Sequence, residues 1–310
     1  MRYAMREQFA EILKQTQNNQ IAQMDLVIDN ETYTRVFRPK ERLILLGAGH
    51  IAQPLCEIAS MLGFAVTVVD DRPLFANHPR FPQAEHIICD AFPHAIEQLQ
   101  IHAGDYVAVI TRGHRYDTDC LRCLLAGTMP RYLGMLGSKR RTIALLHMLA
   151  QEGFAQDKLD SIHTPIGLDI GALSVQEIAV SIAAQLVQTR RRGLNRRSKS
   201  HILTEETFRA DVVEDIVHNP LKKALLLVYE TSGSTPVKSG SFMTVNEMFQ
   251  AKGTIGGGCS ESAVLRDAFH LIGTGESKCV TIDMNNDVAA EQGMVCGGQM
   301  KIFLTDLNEV

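Results

Sequence analysis

The sequence lacks the features that would place it in a membrane, in a secretory pathway or on nucleic acid. Its longest apolar stretches, such as 224–229, are far shorter than the ~20 residues that cross a bilayer. Residues 1–9 are interrupted by charges and contain no apolar core of a secretion signal. A formal charge of -4 provides no overall cationic field for nucleic acid or an anionic membrane surface. We therefore expect a soluble, cytoplasmic protein that binds small molecules or other proteins.

A disulfide framework is also lacking. The seven cysteines are odd in number and follow no disulfide-like spacing; they lie at positions 56, 89, 120, 123, 259, 279 and 296. Cys120 and Cys123 have the spacing of half a zinc site, but no second pair or histidine stands at the matching distance. We expect all of the cysteines to be free thiols. Cys120 and Cys123 lie in a helical pattern, so we expect them to be packing residues of a helix rather than metal ligands.

The first half contains a dinucleotide-binding fingerprint. An apolar run at 42–46 leads into Gly-Ala-Gly-His-Ile-Ala at 47–52, the G-x-G-x-x-A form of the motif. The next apolar run, 65–69, ends at an acid about 20 residues beyond the glycines, where a carboxylate would bind a ribose hydroxyl. Strand, turn, helix, strand and acid together predict a Rossmann unit. The residues expected to bind ligand here are Gly47, Gly49, His50 and Asp70.

Further apolar runs extend the predicted parallel sheet, at 86–89, 106–110 and 132–136. Ligands of such sheets bind at the carboxyl ends of the strands. The candidate residues at these ends are Thr111, Arg112, His114, Gly137, Ser138, Lys139 and Arg140. Residues 137–140 combine a glycine, a hydroxyl and cations at a helix start and could form an anion cradle, although a solvated helix end explains Lys139 and Arg140 equally well. His114 lacks a spaced base or nucleophile, which favours a structural role over a catalytic one.

The Rossmann half is expected to close with a long helix. Ser174 and Glu177 have the spacing of a capping box, and apolar residues recur beyond them at steps of three and four. Residues 190–192 are arginines that suit a solvated helix C-terminus, and Gly193 can end the helix.

The chain is long enough for about two domains. We expect an N-terminal helix and strand over 1–38, a Rossmann-like α/β domain with a doubly wound parallel sheet over 39–193, a polar linker over 194–219 and a smaller α+β domain over 220–310. A short helix over 205–217 is expected within the linker. No internal repeat or low-complexity tract occurs.

Two cysteine-containing turns distinguish the smaller domain. A Gly-rich loop at 253–258 ends in Cys259, and Cys296 opens a Cys-Gly-Gly turn before the last predicted strand. If a helix begins near Ser260, its dipole favours the Cys259 thiolate, a soft ligand beside bare backbone amides. A tight bend with a buried cysteine is the simpler alternative. The candidate binding residues here are Ser234, Gly256, Gly257, Gly258, Cys259, Glu261, Cys296 and Gly297, with Cys259 and Cys296 as the candidate metal contacts.

Six segments resemble the XdhC/CoxI family, the xanthine dehydrogenase accessory factors. Those similar to its Rossmann half are 47–52, 134–140 and 165–171, and those similar to its other half are 233–236, 253–261 and 296–298. In that family the cysteine-containing domain usually comes first, so this chain resembles a permuted member. After Pro236, where the family pattern has a basic residue, this chain has Val237 followed by Lys238.

The resemblance implies a chaperone rather than a catalyst. Its cargo would be the molybdenum cofactor, or molybdopterin, held while the sulfido ligand is installed and then delivered to an apo molybdenum hydroxylase. The resemblance makes Cys259 and Cys296 the candidate molybdenum contacts. The sequence has no recognisable pyridoxal-phosphate site, so a separate cysteine desulfurase is the expected sulfur source. A homodimer is the default expectation.

Two other functions use the same residues. An NAD(P)-dependent oxidoreductase would bind its nucleotide at the fingerprint and Asp70, with His114 as a candidate proton donor. A nucleotide- or redox-sensing regulator would use the thiols as switches.

Overall fold

A computed structural model describes residues 3–18, 20–191, 201–204, 210–256, 258–284 and 298–308. The chain divides into two compact units. The parallel-sheet unit is Lys40–Asn195, and the two-sheet unit combines Met1–Pro39 with Arg196–Val310. Within the described ranges, no helix is long and apolar enough to cross a membrane.

The secondary structure of these ranges is as follows. The helices are α1 (Tyr3–Gln17), α2 (Ala52–Met61), α3 (Phe92–Leu99), α4 (His114–Ala126), α5 (Lys139–Gln151), α6 (Gln156–Asp160), α7 (Val175–Arg191), α8 (Ala210–His218) and α9 (Gly258–Leu271). The strands are β1 (Ala22–Ile28), β2 (Glu31–Phe37), β3 (Arg42–Leu46), β4 (Ala65–Val69), β5 (His86–Ile88), β6 (Tyr106–Val109), β7 (Tyr132–Met135), β8 (Ile202–Thr204), β9 (Lys223–Gly233), β10 (Phe242–Asn246), β11 (Ala251–Gly253), β12 (Ser277–Asp283) and β13 (Gly298–Asp306).

The parallel-sheet unit has the predicted doubly wound architecture. Its strands lie in the order β5-β4-β3-β6-β7, and all neighbours pair in parallel. Leu43 and Leu45 of β3 pack in the core that contains α2 and α7, whereas Ile44 and Leu46 point into the opposite core with α3, α4 and α5. All four side chains are fully buried. A continuous apolar run is what a strand covered on both faces requires.

The two-sheet unit places an antiparallel sheet, in the order β11-β10-β9-β13-β12, at its centre. Alternate residues of β9 enter two different cores. Leu226 and Val228 pack with α9, while Leu225 and Leu227 pack with α1, α8 and the second sheet, β1-β2-β8. The expected α+β architecture is therefore present, with helices on both faces of the central sheet.

The linker prediction is wrong for the residues described between 201 and 219. Strand β8 pairs in parallel with β2, and Val212, Val213 and Ile216 of α8 are buried in the core of the two-sheet unit. Helix α8 begins at Ala210, and residues 205–209 of the expected helix lie outside the described residues. The residues on either side of α8 are polar, so the sequence pattern did not indicate that the helix has an apolar face. The packing of that face against the core decides the position of α8.

The N-terminal segment also differs from its prediction. It forms a helix and a two-stranded hairpin, rather than a helix and one strand, and it belongs to the two-sheet unit. The turn residues Asp29 and Asn30 have φ values of 50 and 64°, as expected for the reversal of a tight hairpin. An Asp-Asn turn is a weaker hairpin signal than Asn-Gly, so the sequence pattern missed it.

The long helix α7 has the predicted cap, but its end is not solvated as expected. The backbone N–H of Ser174 donates to Glu177 Oε2 at 2.8 Å, and the Glu177 N–H donates to Ser174 Oγ at 3.2 Å. Arg190 is only 9% exposed. Its guanidinium donates to Glu41 and to the carbonyl of Leu62. Arg192 and Gly193 lie outside the described residues.

Candidate functional site

The predicted ligand-binding segments of the parallel-sheet unit share one edge of its sheet. The glycine turn follows β3, Asp70 follows β4, residues 111–114 follow β6 and residues 137–139 follow β7. Because these strands are parallel neighbours, their carboxyl ends lie side by side. The strand order reverses between β3 and β6, which is where such sheets open a crevice for a ligand.

The two glycines of the turn meet different surroundings. Gly47 has φ +120°, and a Cβ there would lie 2.4 Å from the carbonyl oxygen of Ile110. Gly49 has no heavy atom within 4 Å of an added Cβ. His50 is exposed next to it. Gly47 therefore packs the turn against the segment after β6, while Gly49 leaves the front of the turn open to a ligand.

Asp70 does not have the role predicted for it. Its side chain is 1% exposed, and four N–H groups already donate to it. Ala48 N–H donates to Oδ2 at 2.9 Å, while Arg72 donates through its backbone N–H and Nε to Oδ1 and through Nη2 to Oδ2. A carboxylate offers about four acceptor positions, so none is left for a ribose hydroxyl. Asp70 instead stabilises the glycine turn through the Ala48 N–H. The expectation from spacing, that its carboxylate binds a ribose hydroxyl, is therefore corrected.

Three arginines, Arg72, Arg80 and Arg112, lie near Asp70 and the glycine turn. The sequence patterns did not identify Arg72 or Arg80 as candidates. Arg112 makes a bidentate ion pair with Asp71, and this contact holds the pKa of Asp71 below its usual range. The Arg72 guanidinium lies 3.6 Å from the centre of the Phe75 ring. Arg80 Nη2 donates to the Ala48 carbonyl at 3.4 Å and to the side chain of Gln53 at 3.0 Å. The signal that could have found them is the short distance in sequence from Asp70.

The segment after β6 contacts a buried acid in the first turn of α4 that the sequence did not reveal. Thr111 Oγ1 donates to Asp117 Oδ1 at 2.6 Å, and Asp117 is 5% exposed. Burial raises the pKa of Asp117, and the Thr111 hydrogen bond and the Arg141 charge oppose that rise. His114 is exposed at the first position of α4. The Thr111 hydroxyl thus donates its proton to Asp117 in this structure and is not free to donate to a ligand.

Replacing Asp117 with asparagine is expected to stabilise the protein at neutral pH. An acid whose pKa is raised on folding costs stability once it is ionised, so the wild type loses stability as the pH rises from the unfolded-state pKa through the higher folded-state pKa. An amide avoids this loss and can still accept from Thr111. Urea unfolding at pH 4, near the ordinary pKa of an aspartate, and at pH 7 should give a higher midpoint for Asp117→Asn at pH 7 and a smaller difference at pH 4.

The matched control for Asp117→Asn is Asp119→Asn in the same helix. Asp119 is 39% exposed and lies 3.6 Å from Arg122 in a surface pair, so its loss should change little at either pH. If Asp117→Asn is less stable than the wild type at pH 7, the ionised carboxylate is needed for the fold.

The anion cradle predicted at residues 137–140 lies at the start of helix α5. Ser138 is the N-cap of α5, has an extended backbone and makes no side-chain cap hydrogen bond. Ser138, Lys139 and Arg140 are all exposed, and a Cβ on Gly137 would meet the methyl group of Thr142 at 2.9 Å. An available hydroxyl and exposed cations fit both an anion cradle and a solvated helix end, so the two interpretations stay open.

In the two-sheet unit, the three segments around the cysteine turns come together. Gly298 of β13 is paired with Gly233 of β9, and a Cβ on Gly298 would lie 2.5 Å from the carbonyl oxygen of Ser234. Gly256 has φ +121°, and a Cβ there would lie 2.4 Å from the ring of Pro236. The hydroxyl-rich turn, the Gly-rich loop and the strand that follows the Cys-Gly-Gly turn therefore meet at one place.

Glu261 fastens the Gly-rich loop to helix α9. Its Oε2 accepts from Thr254 Oγ1 at 2.8 Å and from the Ile255 N–H at 3.0 Å. Helix α9 begins at Gly258, so Cys259 is its second residue, as the sequence predicted for a cysteine at the helix start. Ser234 is exposed beside this loop, and Lys238 Nζ lies 3.4 Å from Thr235 Oγ1. Gly257, Cys296, Gly297 and the side chain of Cys259 lie outside the described residues.

The other cysteines do not form a metal site in the described part of the chain. No group of three or more His, Cys, Asp or Glu side chains there could hold a metal ion. Cys120 is buried within α4, and burial raises the pKa values of both Cys120 and Cys123. Cys279 is partly buried and packs against a core of the two-sheet unit.

Both parts of the chain match known families. Residues 43–186 match the XdhC Rossmann domain, and residues 218–283 match the XdhC and CoxI family. A probable xanthine dehydrogenase subunit of Bacillus subtilis is 37% identical over 155 residues, which cover 50% of this chain and 44% of that protein. The uncharacterized protein YqeB of Escherichia coli is 32% identical over 152 residues, covering 49% of this chain and 28% of that protein.

A similar solved structure is the crystal structure of a xanthine dehydrogenase from Bacillus halodurans. It is 36% identical, with a TM-score of 0.48, and the match covers 56% of this chain and 50% of that one. The chain spans less than half the length of the two curated relatives that it matches. Since the parallel-sheet unit matches the XdhC Rossmann domain and the two-sheet unit matches the XdhC and CoxI model, the chain belongs to the XdhC/CoxI family.

Proposed function

We propose that this protein is an accessory factor for a molybdenum hydroxylase of the xanthine dehydrogenase type. It binds the molybdenum cofactor and delivers it, after sulfuration, to the apo-enzyme. Family membership and the name of the Bacillus subtilis relative support this role. The observation that carries it is the meeting of the Ser234 turn, the Gly-rich loop before Cys259 and the start of β13 in one place.

The chemistry of this meeting point suits a pterin dithiolene cargo. Cys259 lies in the first turn of α9, where the positive end of the helix dipole favours a thiolate, and a thiolate is a soft ligand for molybdenum. The exposed Ser234 hydroxyl and the Lys238 ammonium supply donors for an anionic oxygen or phosphate. Lys238 therefore offers a cation one position later than the family pattern places it.

The remaining parts of the pathway follow from what this chain is proposed to do. A carrier without its own sulfur chemistry needs a separate cysteine desulfurase, which would act on the cargo while it is held. A homodimer is proposed as the working state, since closed symmetric dimers are the commonest soluble assemblies. Both proposals can be checked on the purified full chain by co-purification and by light scattering.

The role is tested by measuring the cargo directly. The protein is purified without oxygen from cells that make molybdenum cofactor, and molybdenum and pterin are measured per chain. The wild type should hold both. Cys259→Ala or Cys296→Ala should hold on the order of tenfold less molybdenum and pterin per chain, because a metal–thiolate bond is removed. Cys279→Ala removes a thiol from a neighbouring strand of the same unit and should retain the cofactor.

Two outcomes would contradict the role. The first is a wild type without molybdenum or pterin, and the second is full retention in both the Cys259 and Cys296 variants. Circular dichroism melts of each variant separate loss of binding from loss of folding.

An oxidoreductase function has less support from the site. It would need a proton donor held by a partner, and the exposed His114 ring makes no hydrogen bond among the described residues. The glycine turn nevertheless favours a nucleotide, and its surroundings restrict which one.

A further inference from the structure

The acid at the end of β4 is neutralised within the parallel-sheet unit. In sites that bind NAD, a free carboxylate at this position accepts the ribose hydroxyls and repels a phosphate. Here Asp70 is buried and all of its acceptor positions are filled, half of them by the Arg72 side chain. A ribose hydroxyl could reach the carboxylate only by displacing a bidentate guanidinium, which is among the stronger side-chain partners of an acid.

The groups that remain available at this place are cationic. The Arg72 and Arg112 side chains are 30% and 31% exposed, so both guanidinium groups can still be reached from solvent. Asp71, the partner of Arg112, is 29% exposed. Arg80 lies on the other side of the turn, where it donates to the Ala48 carbonyl and to Gln53. The three arginines and the two carboxylates leave one net positive charge beside the glycine turn.

Arg72 and Arg112 are held close to the glycine turn. Asp70 Oδ2 accepts from both the Ala48 N–H of the turn and Arg72 Nη2, so a single oxygen joins the two. Arg112 Nη1 lies 3.8 Å from the other oxygen of Asp70. Arg72 is further fixed by stacking on Phe75, and Arg112 by its contact with the Tyr116 ring at 4.1 Å. Planar guanidinium groups positioned in this way are suited to bind a phosphate.

We propose that the glycine turn and these arginines bind a dinucleotide whose ribose bears a phosphate, of the NADP(H) type, in preference to NAD(H). The pyrophosphate lies against the open face of Gly49, and the ribose phosphate is bound by the exposed N–H groups of Arg72 and Arg112. Arginine at this position of a Rossmann unit accommodates a 2′-phosphate. This site goes beyond the maturation role and is independent of the cysteine turns.

The preference can be measured by titrating the full-length protein with NADPH and with NADH. The chain has no tryptophan, so the fluorescence of the reduced nicotinamide is read without tryptophan interference. NADPH is expected to bind on the order of tenfold to a hundredfold more tightly than NADH, because the extra phosphate gains charge-assisted hydrogen bonds. Raising the salt concentration should reduce this difference.

The variant that carries the test is Arg112→Gln. It leaves the hydrogen bonds to Asp70 intact, whereas Arg72→Gln would remove two donors from a buried carboxylate and could loosen the turn itself. Arg112→Gln should lose most of the preference for NADPH while its affinity for NADH stays the same. Arg122→Gln, which removes a comparable bidentate pair with Glu152 on the surface of the same unit, should keep the preference.

Three results would overturn the inference: equal affinity for the two nucleotides, an unchanged preference in Arg112→Gln, or no binding of either nucleotide by a folded wild type. If neither nucleotide binds while molybdenum and pterin are still retained, this inference fails and the maturation role stands. If NADPH binds as expected while the cofactor is absent, the maturation role fails and this inference stands.

Discussion

Replacing Gly47 with alanine is expected to lower the free energy of unfolding by roughly 3 kcal/mol or more. The backbone at Gly47 has φ +120°, a conformation that strains any residue with a Cβ. The added carbon would also lie 2.4 and 2.7 Å from the carbonyl oxygen and carbon of Ile110 and 2.9 Å from the Cα of Thr111. These are backbone atoms next to β6, so relief requires a shift of the turn or of that strand end.

Equilibrium unfolding in urea, followed by circular dichroism, measures this effect. The matched control is Gly104→Ala in the same unit, where no heavy atom lies within 4 Å of an added Cβ and φ is not in the left-handed region. That variant should stay within about 0.5 kcal/mol of the wild type. A Gly47→Ala protein as stable as the control would mean that the turn is not packed against the end of β6.

Replacing Gly49 with alanine is expected to have the opposite profile, with stability retained and ligand affinity lost. An added Cβ meets no protein atom within 4 Å, but it projects into the space that a pyrophosphate would occupy when it approaches the turn. We expect affinity for NADPH to fall by about tenfold to a hundredfold, since the phosphate would lose close contact with the backbone amides.

The comparison of Gly49→Ala with Gly104→Ala isolates this effect. Both variants add one methyl group in open space in the same unit, but only Gly49 lies in the turn. Nucleotide titration of both proteins, with urea unfolding as the check on folding, makes the comparison. Unchanged NADPH affinity in Gly49→Ala would place the phosphates away from this turn and would contradict the proposed binding mode.

Together the two glycine variants distinguish two reasons for a G-x-G pattern. Gly47 is required by packing within the protein, because the turn would otherwise collide with the backbone after β6. Gly49 has no such requirement, so a need for glycine there has to come from something outside the described protein atoms. An effect on binding alone at Gly49 would therefore be direct support for a ligand at the turn.

The sequence alone was sufficient to predict the parallel-sheet unit. The apolar runs that became β3 and β4 are buried on both faces, and the glycines between β3 and α2 favour a tight turn, so local pattern and tertiary structure agree. The cap at Ser174 and the start of a helix next to Cys259 are likewise local features, decided by residues within one helical turn. Such features depend on short-range contacts that spacing in the sequence reports directly.

Tertiary structure decided which of these residues are still available to a ligand. Spacing placed Asp70 correctly at the end of β4, but only the fold shows that Arg72 and the Ala48 amide fill its acceptor positions. In the same way, the sequence predicts that Arg190 is solvated at the end of a helix. Its burial depends on an ion pair with Glu41, which is far away in the sequence. Periodicity and motifs specify where a side chain lies along its element, whereas its hydrogen-bond partners come from other elements that only folding brings into contact.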